Sequence, residues 1–153
     1  MKIQTIALWQ PYATLFVLGI KKIETRGYYT ARRGRLIIHA SKMNDKNRVP
    51  CQEAFMRFYD ELSAAGYEHL GLMPQGALVG EVNLIDSKMM VSGPTSKPFE
   101  ISINSISSKE QEYGWYEPGR HAWMAKDPIK YEKPIPYVGQ QGFFNVDASI
   151  LPL

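Results

Sequence analysis

Short apolar segments separated by Gly- and Pro-containing turns predict several β-strands and few helices in this chain. The clearest strands are a run ending at Leu8, the stretch Leu36 to Ile38 before His39, and a run that opens at Ala77. The predicted strands cover residues 3–8, 22–28, 35–40, 77–85, 120–125, 129–133 and 142–146. Many short strands with few helices predict an α+β domain, a small β-barrel with flanking helices.

Two segments carry the apolar period of a helix. Pro11 suits the first turn of a short helix that ends at Gly19, and a second helix is predicted from Pro50 to Gly66. Residues 86–114 are rich in Ser, Lys and Pro and show only weak strand patterns. This segment is therefore predicted to be a long or mobile loop.

Length and composition are those of one globular domain. The chain has 153 residues, of which 44% are hydrophobic, so we expect a single domain over residues 1–153. The formal net charge of +3 permits a nucleic-acid partner without requiring one. Cys51 is the only cysteine, so an intrachain disulfide is impossible.

The sequence contains no pattern typical of a membrane or metal-binding protein. The apolar segment over residues 5–20 is interrupted by Gln10 and Pro11, and it is shorter than the roughly 20 residues that a membrane helix needs. No Cys and His spacing resembles that of a zinc site. We therefore expect a cytoplasmic protein that spans no membrane and requires neither a metal nor another cofactor.

Charged residues occur in segments whose pattern otherwise predicts burial. Alternate residues of a strand share a face, so Glu24 and Arg26 are predicted to point the same way, with Lys21 at the preceding turn. A carboxylate between two cations is stabilised in its charged form and could anchor an amide, a base edge or a water. The competing interpretation is an exposed ion-pair ladder of little energetic value.

Two further ionisable residues are candidates for a site. His39 follows an apolar run and is either a ligand-binding or acid–base group or a structural histidine. Glu81 lies in a strand that is otherwise apolar, where a carboxylate needs a partner. Lys21, Arg26 or Arg120 could provide that partner across the barrel, and the alternative is an outward-facing glutamate.

Aromatic and amide side chains add possible contacts to a nucleobase. Trp123 lies close to Arg120 and, with Tyr12 or Trp9, could stack on a base, although an isolated Trp is more often part of the core. Gln10 and Tyr12, at the turn into the first helix, are further candidates for ligand contacts.

Several of these segments together resemble the ASCH domain of the PUA-like superfamily. They are Ala7 to Ala13, Gly19 to Arg26, Gly34 to Ser41, Gly76 to Val82, Gly119 to Trp123 and Gln141 to Val146. The resemblance spans nearly the whole chain and implies a β-barrel similar to the PUA fold with a polar cleft. It also implies association with RNA.

The same resemblance implies a possible hydrolase. Some family members remove the acetyl group of N4-acetylcytidine with a Lys, a Thr and a Glu, and one is a ribonuclease. Gly19 and Lys21 match the helix-to-strand motif, but Glu24 occupies the position of the Thr. A water attack assisted by Glu24, with Lys21 or Arg26 stabilising the oxyanion, is the corresponding hypothesis.

Three functions therefore follow as hypotheses. The first is an RNA- or modified-nucleoside-binding domain in which Lys21, Glu24, Arg26 and Arg120 line a polar pocket. The second is a metal-independent hydrolase with Lys21 and Glu24 as the catalytic pair. The third is a protein-interaction module whose cleft is incidental.

Overall fold

The computed structural model describes residues 1–152 and contains one mixed sheet of seven strands. The strands are β1 (Lys2–Leu8), β2 (Ile23–Arg26), β3 (Gly34–Ala40), β4 (Ala77–Val91), β5 (Glu100–Ser102), β6 (His121–Pro136) and β7 (Phe143–Asp147). Their order is β2-β6-β4-β3-β1-β7, and β5 pairs with β4 outside this path. The predicted α+β class is confirmed.

The predicted closed barrel is wrong, because the sheet remains open. Within residues 1–152, β2 pairs only with β6 and β7 pairs only with β1, so the two ends of the strand order do not join. The number of strands in a sequence does not determine whether the first and last strands pair. Closure also requires a consistent tilt and stagger, which short strands such as β2 leave unspecified.

The parallel pairing of β1 with β3 determines where the polar residues meet. Ala7 pairs with His39 and Leu8 with Ala40, so both strands end at the same edge of the sheet. The other long pairings, of β3 with β4 and of β4 with β6, are antiparallel. The loops that follow β1 and β3 therefore meet the loop that follows β6.

Four α-helices accompany the sheet within residues 1–152. They are α1 (Tyr12–Val17), α2 (Arg48–Arg57), α3 (Tyr59–Ala64) and α4 (Ser108–Gln111). The helix predicted from Pro50 to Gly66 is divided at Phe58, which caps the end of α2 and is fully buried. Among residues 1–152, no helix is long and apolar enough to cross a membrane.

Helix α1 packs directly on the sheet. Phe16 and Val17 join a core cluster with β-strand residues such as Ile38 and Val82. Gly80 of β4 makes this approach possible, because a β-carbon there would lie 2.7 Å from the β-carbon of Val17 and would also meet the carbonyl of Ile129. Larger side chains at this position would displace the helix.

The loop predicted over residues 86–114 is wrong for much of its length. Strand β4 continues to Val91 and pairs with β6, with Asp86 opposite Met124 and Lys88 opposite Ala122. Strand β5 and α4 follow within the same segment. The Ser and Lys residues hide the strand because one face of this part of the sheet is only half-buried.

Candidate functional site

An open cleft of about 1370 Å³ lies where β1, β3 and β6 end. Trp9 follows β1 and His39 lies near the end of β3, so the parallel pairing of these strands brings them together. Arg26, at the end of β2, reaches the same cleft from the side through its contact with the carbonyl of Ala7. The remaining lining comes from Ala7, Tyr28, Ser41, Lys42, Asn44, Asn47, Gln75, Gly76 and residues 136–142. The cleft has a mixed polar and aromatic lining, as a ligand site requires.

Arg26 is the cation of β2 that faces this cleft. Its Nε donates to Glu24 Oε2 at 2.8 Å, and its Nη2 donates to the carbonyl of Ala7 at 3.3 Å. The guanidinium lies 5.7 Å from the ring centre of Trp123. Within residues 1–152, only Nε and Nη2 make hydrogen bonds, so the five donors of the guanidinium are not all used.

Lys21 lies behind Arg26 and is almost completely buried. Its Nζ donates to the carbonyl oxygens of Ile23 and Tyr113, the latter at 3.0 Å, and lies 3.3 Å from Glu24 Oε1. An ammonium has three N–H donors, and these two hydrogen bonds and the ion pair engage all of them. The exposed ion-pair ladder considered from sequence is therefore wrong for Lys21 and Glu24, which are 1% and 9% exposed.

Lys21 does not line the large cleft. It borders a smaller and mainly apolar pocket of about 230 Å³, together with Phe16, Gly19 and Pro128. Glu24 shares its face with Arg26, as the alternation predicts, accepts a hydrogen bond from Arg26 and forms an ion pair with Lys21. The three residues thus form one network, of which Arg26 is the member that lines the cleft.

A tyrosine lies close to this network without joining it. The hydroxyl of Tyr116 is buried and has no hydrogen-bond partner within residues 1–152. Burial raises the pKa of Tyr116, and the negative charges of Glu110 and Glu24 raise it further. Its hydroxyl is therefore neutral, and no hydrogen bond replaces the contact with water that it loses on burial.

His39 lies at the base of the cleft and is 2% exposed. Its Nε2 is 2.7 Å from the carbonyl of Tyr137, so this nitrogen carries the proton and donates. Its Nδ1 has no partner within residues 1–152. Burial lowers the pKa of His39, and the contact with Tyr137 only partly opposes this effect. The neutral ring therefore retains one unused acceptor.

Glu81 lies away from the cleft and has a different partner from those expected. Arg35 donates to both of its carboxylate oxygens at 2.9 Å, and the hydroxyl of Tyr131 donates at 2.6 Å. The sequence-based assignment of Lys21, Arg26 or Arg120 as partner is therefore wrong, because β3 places Arg35 close to Glu81. Burial would raise the pKa of Glu81, but the bonds from Arg35 and Tyr131 hold it below its ordinary value.

Arg120 and Trp123 lie on either side of β2. Arg120 donates to the carbonyls of Trp115 and Thr25 at 3.1 and 3.2 Å. Trp123 is fully buried and stacks on Phe143 with ring centres 5.3 Å apart. Its indole donates to the carbonyl of Tyr28 at 3.1 Å. Trp123 has no exposed face for a base and instead packs behind the cleft.

Gln10 and Tyr12 hold the beginning of α1 and do not line the cleft. Gln10 donates to the carbonyl of Pro74 at 2.9 Å and accepts from the amide of Thr14 at 3.1 Å. Tyr12 packs edge-on against Phe58 with ring centres 6.1 Å apart.

The exposed aromatic residues of the cleft are Trp9 and Tyr28. Each is 47% exposed and lines the cleft. The sequence pattern suggests Trp9 only as a partner for Trp123, and it does not single out Tyr28. It offers Gln140 and Gln141 either as ligand contacts or as caps of a strand, and both line the cleft. The signal for Tyr28 was available, because extending the alternation of Glu24 and Arg26 by two residues reaches it.

The open mixed sheet, the helix packed on it and the cleft at the strand ends define a PUA-like α+β domain. The chain belongs to the ASCH domain family, because the model of that domain matches residues 6–135. This membership supports an RNA-binding domain as the functional class. Among residues 1–152, no group of three or more His, Cys, Asp or Glu is arranged to hold a metal ion.

Curated relatives and solved structures agree with this family. Activating signal cointegrator 1 of mouse and of human are each 29% identical over 146 residues, which is 95% of this chain. The chain spans only 22% of the length of those proteins. A single-residue variant of an ASCH protein from Zymomonas mobilis has a TM-score of 0.53 at 14% identity, covering 97% of this chain and 92% of its own. The unsubstituted protein gives 0.52 at 14%, with 95% and 88% covered. These structures support the fold alone.

Proposed function

We propose that this ASCH domain binds RNA or a modified nucleoside in the cleft at the strand ends. The observation that carries the proposal is the combination of two half-exposed aromatic rings, Trp9 and Tyr28, with the guanidinium of Arg26 in one cleft of about 1370 Å³. Unstacked bases are usually held by stacking on aromatic rings, and phosphates by Arg and Lys. Lys42, also in the lining, adds a second cation.

Hydrogen bonding supports the same assignment. Arg26 has donors beyond those that contact Glu24 and Ala7. The exposed side-chain amides of Gln140 and Gln141, also in the lining, offer acceptors. A base presents both donors and acceptors on its edges, so a cleft with both types suits a base better than it suits a simple anion. The buried pair Lys21 and Glu24 would hold Arg26 in place without contacting the ligand.

Salt dependence of RNA affinity tests the proposal. We expect Arg26→Ala to weaken binding of a single-stranded RNA about ten-fold and to reduce the slope of log affinity against log salt by about 0.7, the value for one lost phosphate contact. Trp9→Ala should weaken binding about ten-fold and leave that slope unchanged, since stacking displaces no counterion. Fluorescence anisotropy at several salt concentrations measures both quantities.

Arg35→Ala is the matched control, because Arg35 also pairs with a glutamate but lies outside the cleft lining. Its affinity and salt slope should equal those of the wild type. Thermal unfolding would verify that each variant is folded. RNA binding that is unaffected by both Arg26→Ala and Trp9→Ala would refute the cleft as the site.

The hydrolase hypothesis has one observation in its favour, the 3.3 Å contact between Lys21 and Glu24. The geometry supports it less, because protein groups already occupy the donors of Lys21. Incubation with N4-acetylcytidine tests it through the release of cytidine, which folded Lys21→Ala protein should not produce. If neither RNA nor the nucleoside binds, a protein-interaction module becomes the better hypothesis.

A further inference from the structure

Exposed rings and arginines continue past the cleft on the connection from β2 to β3 and on the segment before β6. We call this surface the arginine–aromatic rim and define it by Tyr29, Arg32, Arg33, Trp115 and Arg120. Trp115 is 58% exposed and Tyr29 is 54% exposed, which is unusual for large aromatic rings. No contact assigned above to the cleft uses them.

The first part of the rim is the pair Arg120 and Trp115. The guanidinium carbon of Arg120 lies 4.1 Å from the centre of the Trp115 ring. Hydrogen bonds from Arg120 to the carbonyls of Trp115 and Thr25 hold the guanidinium in this position. The two groups therefore present a prepared flat surface with a positive charge.

The second part of the rim uses the same pairing. Arg33 lies 5.9 Å from the centre of the Tyr29 ring. Arg32 lies 4.5 Å from the ring centre of Phe143, which in turn stacks on Trp123 behind the cleft. Arginine over an aromatic ring thus recurs along this face, next to the Arg26 and Trp123 pair.

The rim is continuous with the cleft. Gly27 separates the cleft residues Arg26 and Tyr28, and a β-carbon at Gly27 would lie 3.9 Å from Nη1 of Arg120. On the other side, the ring of Tyr29 lies 6.4 Å from His121, which is paired with Arg26 across the sheet. A ligand that leaves the cleft past Tyr28 therefore meets Tyr29 first and reaches Trp115 and Arg120 around the free edge of β2, the outermost strand of the sheet within residues 1–152.

The rim retains uncompensated positive charge. Arg33 lies 3.5 Å from Asp86, a carboxylate that also contacts Lys88. Arg32 and Arg120 have no ion pair within residues 1–152. A polyanion with flat groups along its length matches cations that alternate with rings.

We propose that the ligand is a single strand of RNA whose bases continue from the cleft onto this rim, rather than a free nucleoside. The inference rests on the proposed function and adds the length and strandedness of the ligand. A duplex is a poorer match, because its bases stack on each other and leave none for Trp115 or Tyr29. Several nucleotides per protein is the ordinary site size of a single-strand-binding fold.

The three tryptophans allow one experiment to separate the cleft from the rim. Trp9 reports on the cleft, Trp115 on the rim and Trp123 on the core, and each indole N–H gives its own resonance in a ¹H–¹⁵N spectrum. A mononucleotide, cytidine 5′-monophosphate, should shift Trp9 and leave Trp115 in place. A single-stranded RNA of about eight nucleotides should shift both.

Substitutions then test the contribution of the rim. Trp115→Ala and Arg32→Ala should each weaken the longer RNA about ten-fold and leave mononucleotide affinity unchanged, whereas Trp115→Phe should retain most of the affinity. Lys133→Ala removes an exposed cation from the far end of β6 and is the charge-matched control. It should change the affinity for the longer RNA, and the dependence of that affinity on salt, less than Arg32→Ala does.

The outcomes are distinguishable. If the longer RNA shifts Trp9 alone, binds no tighter than the mononucleotide, or binds equally as a duplex, the extended path is wrong and the cleft proposal stands. If neither probe shifts Trp9, the proposed function itself is wrong. A Trp115 shift caused only by an added protein partner would also overturn the RNA path, since the rim would then be a protein-binding surface.

Discussion

Glu24 and Glu81 are two strand carboxylates that look equivalent in the sequence and have different surroundings in the fold. Each lies in a segment predicted to be a strand, and each pairs with an arginine at 2.8 to 2.9 Å. Glu81 takes both Nε and Nη2 of Arg35 and is completed by Tyr131. Glu24 accepts a hydrogen bond only from Nε of Arg26, and its other oxygen forms an ion pair with the buried Lys21.

The difference lies in what each arginine has left to donate. Both forked donors of Arg35 are engaged by one carboxylate, and Arg35 is outside the cleft. Arg26 gives Glu24 only its Nε and contacts the carbonyl of Ala7 through Nη2, so its remaining donors are available at the cleft lining. A paired charge is therefore a better indicator of a binding site when its partner retains donors at a concave surface.

The largest expected effect is the loss of stability in Lys21→Met. Methionine keeps the apolar stem and removes the ammonium, so Glu24 and the carbonyls of Ile23 and Tyr113 lose a buried donor. Breaking a buried ion pair by removing one partner typically costs about 3–5 kcal/mol of unfolding free energy. Urea unfolding measures this quantity.

Lys22→Met is the control for that substitution, because Lys22 is exposed and neighbours the same turn. We expect its stability to remain within about 0.5 kcal/mol of the wild type. An equally small change in Lys21→Met would show that the buried network contributes little and would remove the main difference between the two glutamates.

A smaller loss of stability is expected for Glu81→Gln. The amide keeps an acceptor for Arg35 and Tyr131 but removes the charge, and Arg35 is partly exposed, so we expect about 1–2 kcal/mol. Because the folded state lowers the pKa of Glu81, its charge stabilises above the ordinary value of 4.5. The difference from wild type should therefore shrink as the pH falls below 4.5.

RNA affinity sharpens this comparison further. Glu81→Gln should leave the affinity unchanged, since Glu81 does not line the cleft. A substantial loss of affinity in a folded Glu81→Gln variant would place Glu81 in the ligand site, as the sequence pattern alone suggested.

The sequence predicts the strands well where burial alternates or is continuous. Segments ending at Leu8 and Ala40 are close to the observed bounds, because apolar patterning determines them. Closure of the sheet and the partner of Glu81 depend on pairing between distant segments. The apolar pattern does not predict the strand beyond Ile85, because Asp86 and Lys88 are only half-buried there and the buried Ser87 is polar.

For the candidate site, the alternation rule correctly places Glu24 and Arg26 on one face. The same rule cannot tell which member of the cluster faces a cleft, because that depends on where β1 and β3 end relative to β2. Trp123 and Tyr28 are neighbours, yet one is fully buried and the other half-exposed. Only their positions in the assembled sheet distinguish the core ring from the one available for stacking.

A moderate pH effect is expected from His39. Burial lowers its pKa in the folded protein, whereas the unfolded chain takes up the proton near the ordinary value of 6.5. Unfolding therefore binds a proton as the pH falls below 6.5, and stability decreases in that direction until the folded pKa is reached. His39→Gln should flatten this slope in urea titrations between about pH 5 and 7.

A second histidine, His121, also contributes to the pH dependence of stability. Burial also lowers the pKa of His121, so part of the slope should persist in His39→Gln. An unchanged slope in His39→Gln would mean that His39 accepts a proton in the folded protein as readily as in the unfolded chain.

The smallest expected effect tests whether the Glu24 network is complete without Tyr116. The Tyr116 hydroxyl is buried, unpartnered within residues 1–152, and close enough to the charges of Glu110 and Glu24 for its pKa to be raised. A buried hydroxyl without a partner is destabilising, so Tyr116→Phe should be neutral or raise the unfolding free energy by up to about 1 kcal/mol.

Urea unfolding of this variant beside Tyr131→Phe gives the comparison, because the Tyr131 hydroxyl donates to Glu81 and its removal should cost about 1 kcal/mol or more. A loss in Tyr116→Phe as large as that in Tyr131→Phe would mean that Tyr116 supports Glu24 as Tyr131 supports Glu81. The two carboxylates would then differ only in the buried Lys21 and in the arginine that each one holds.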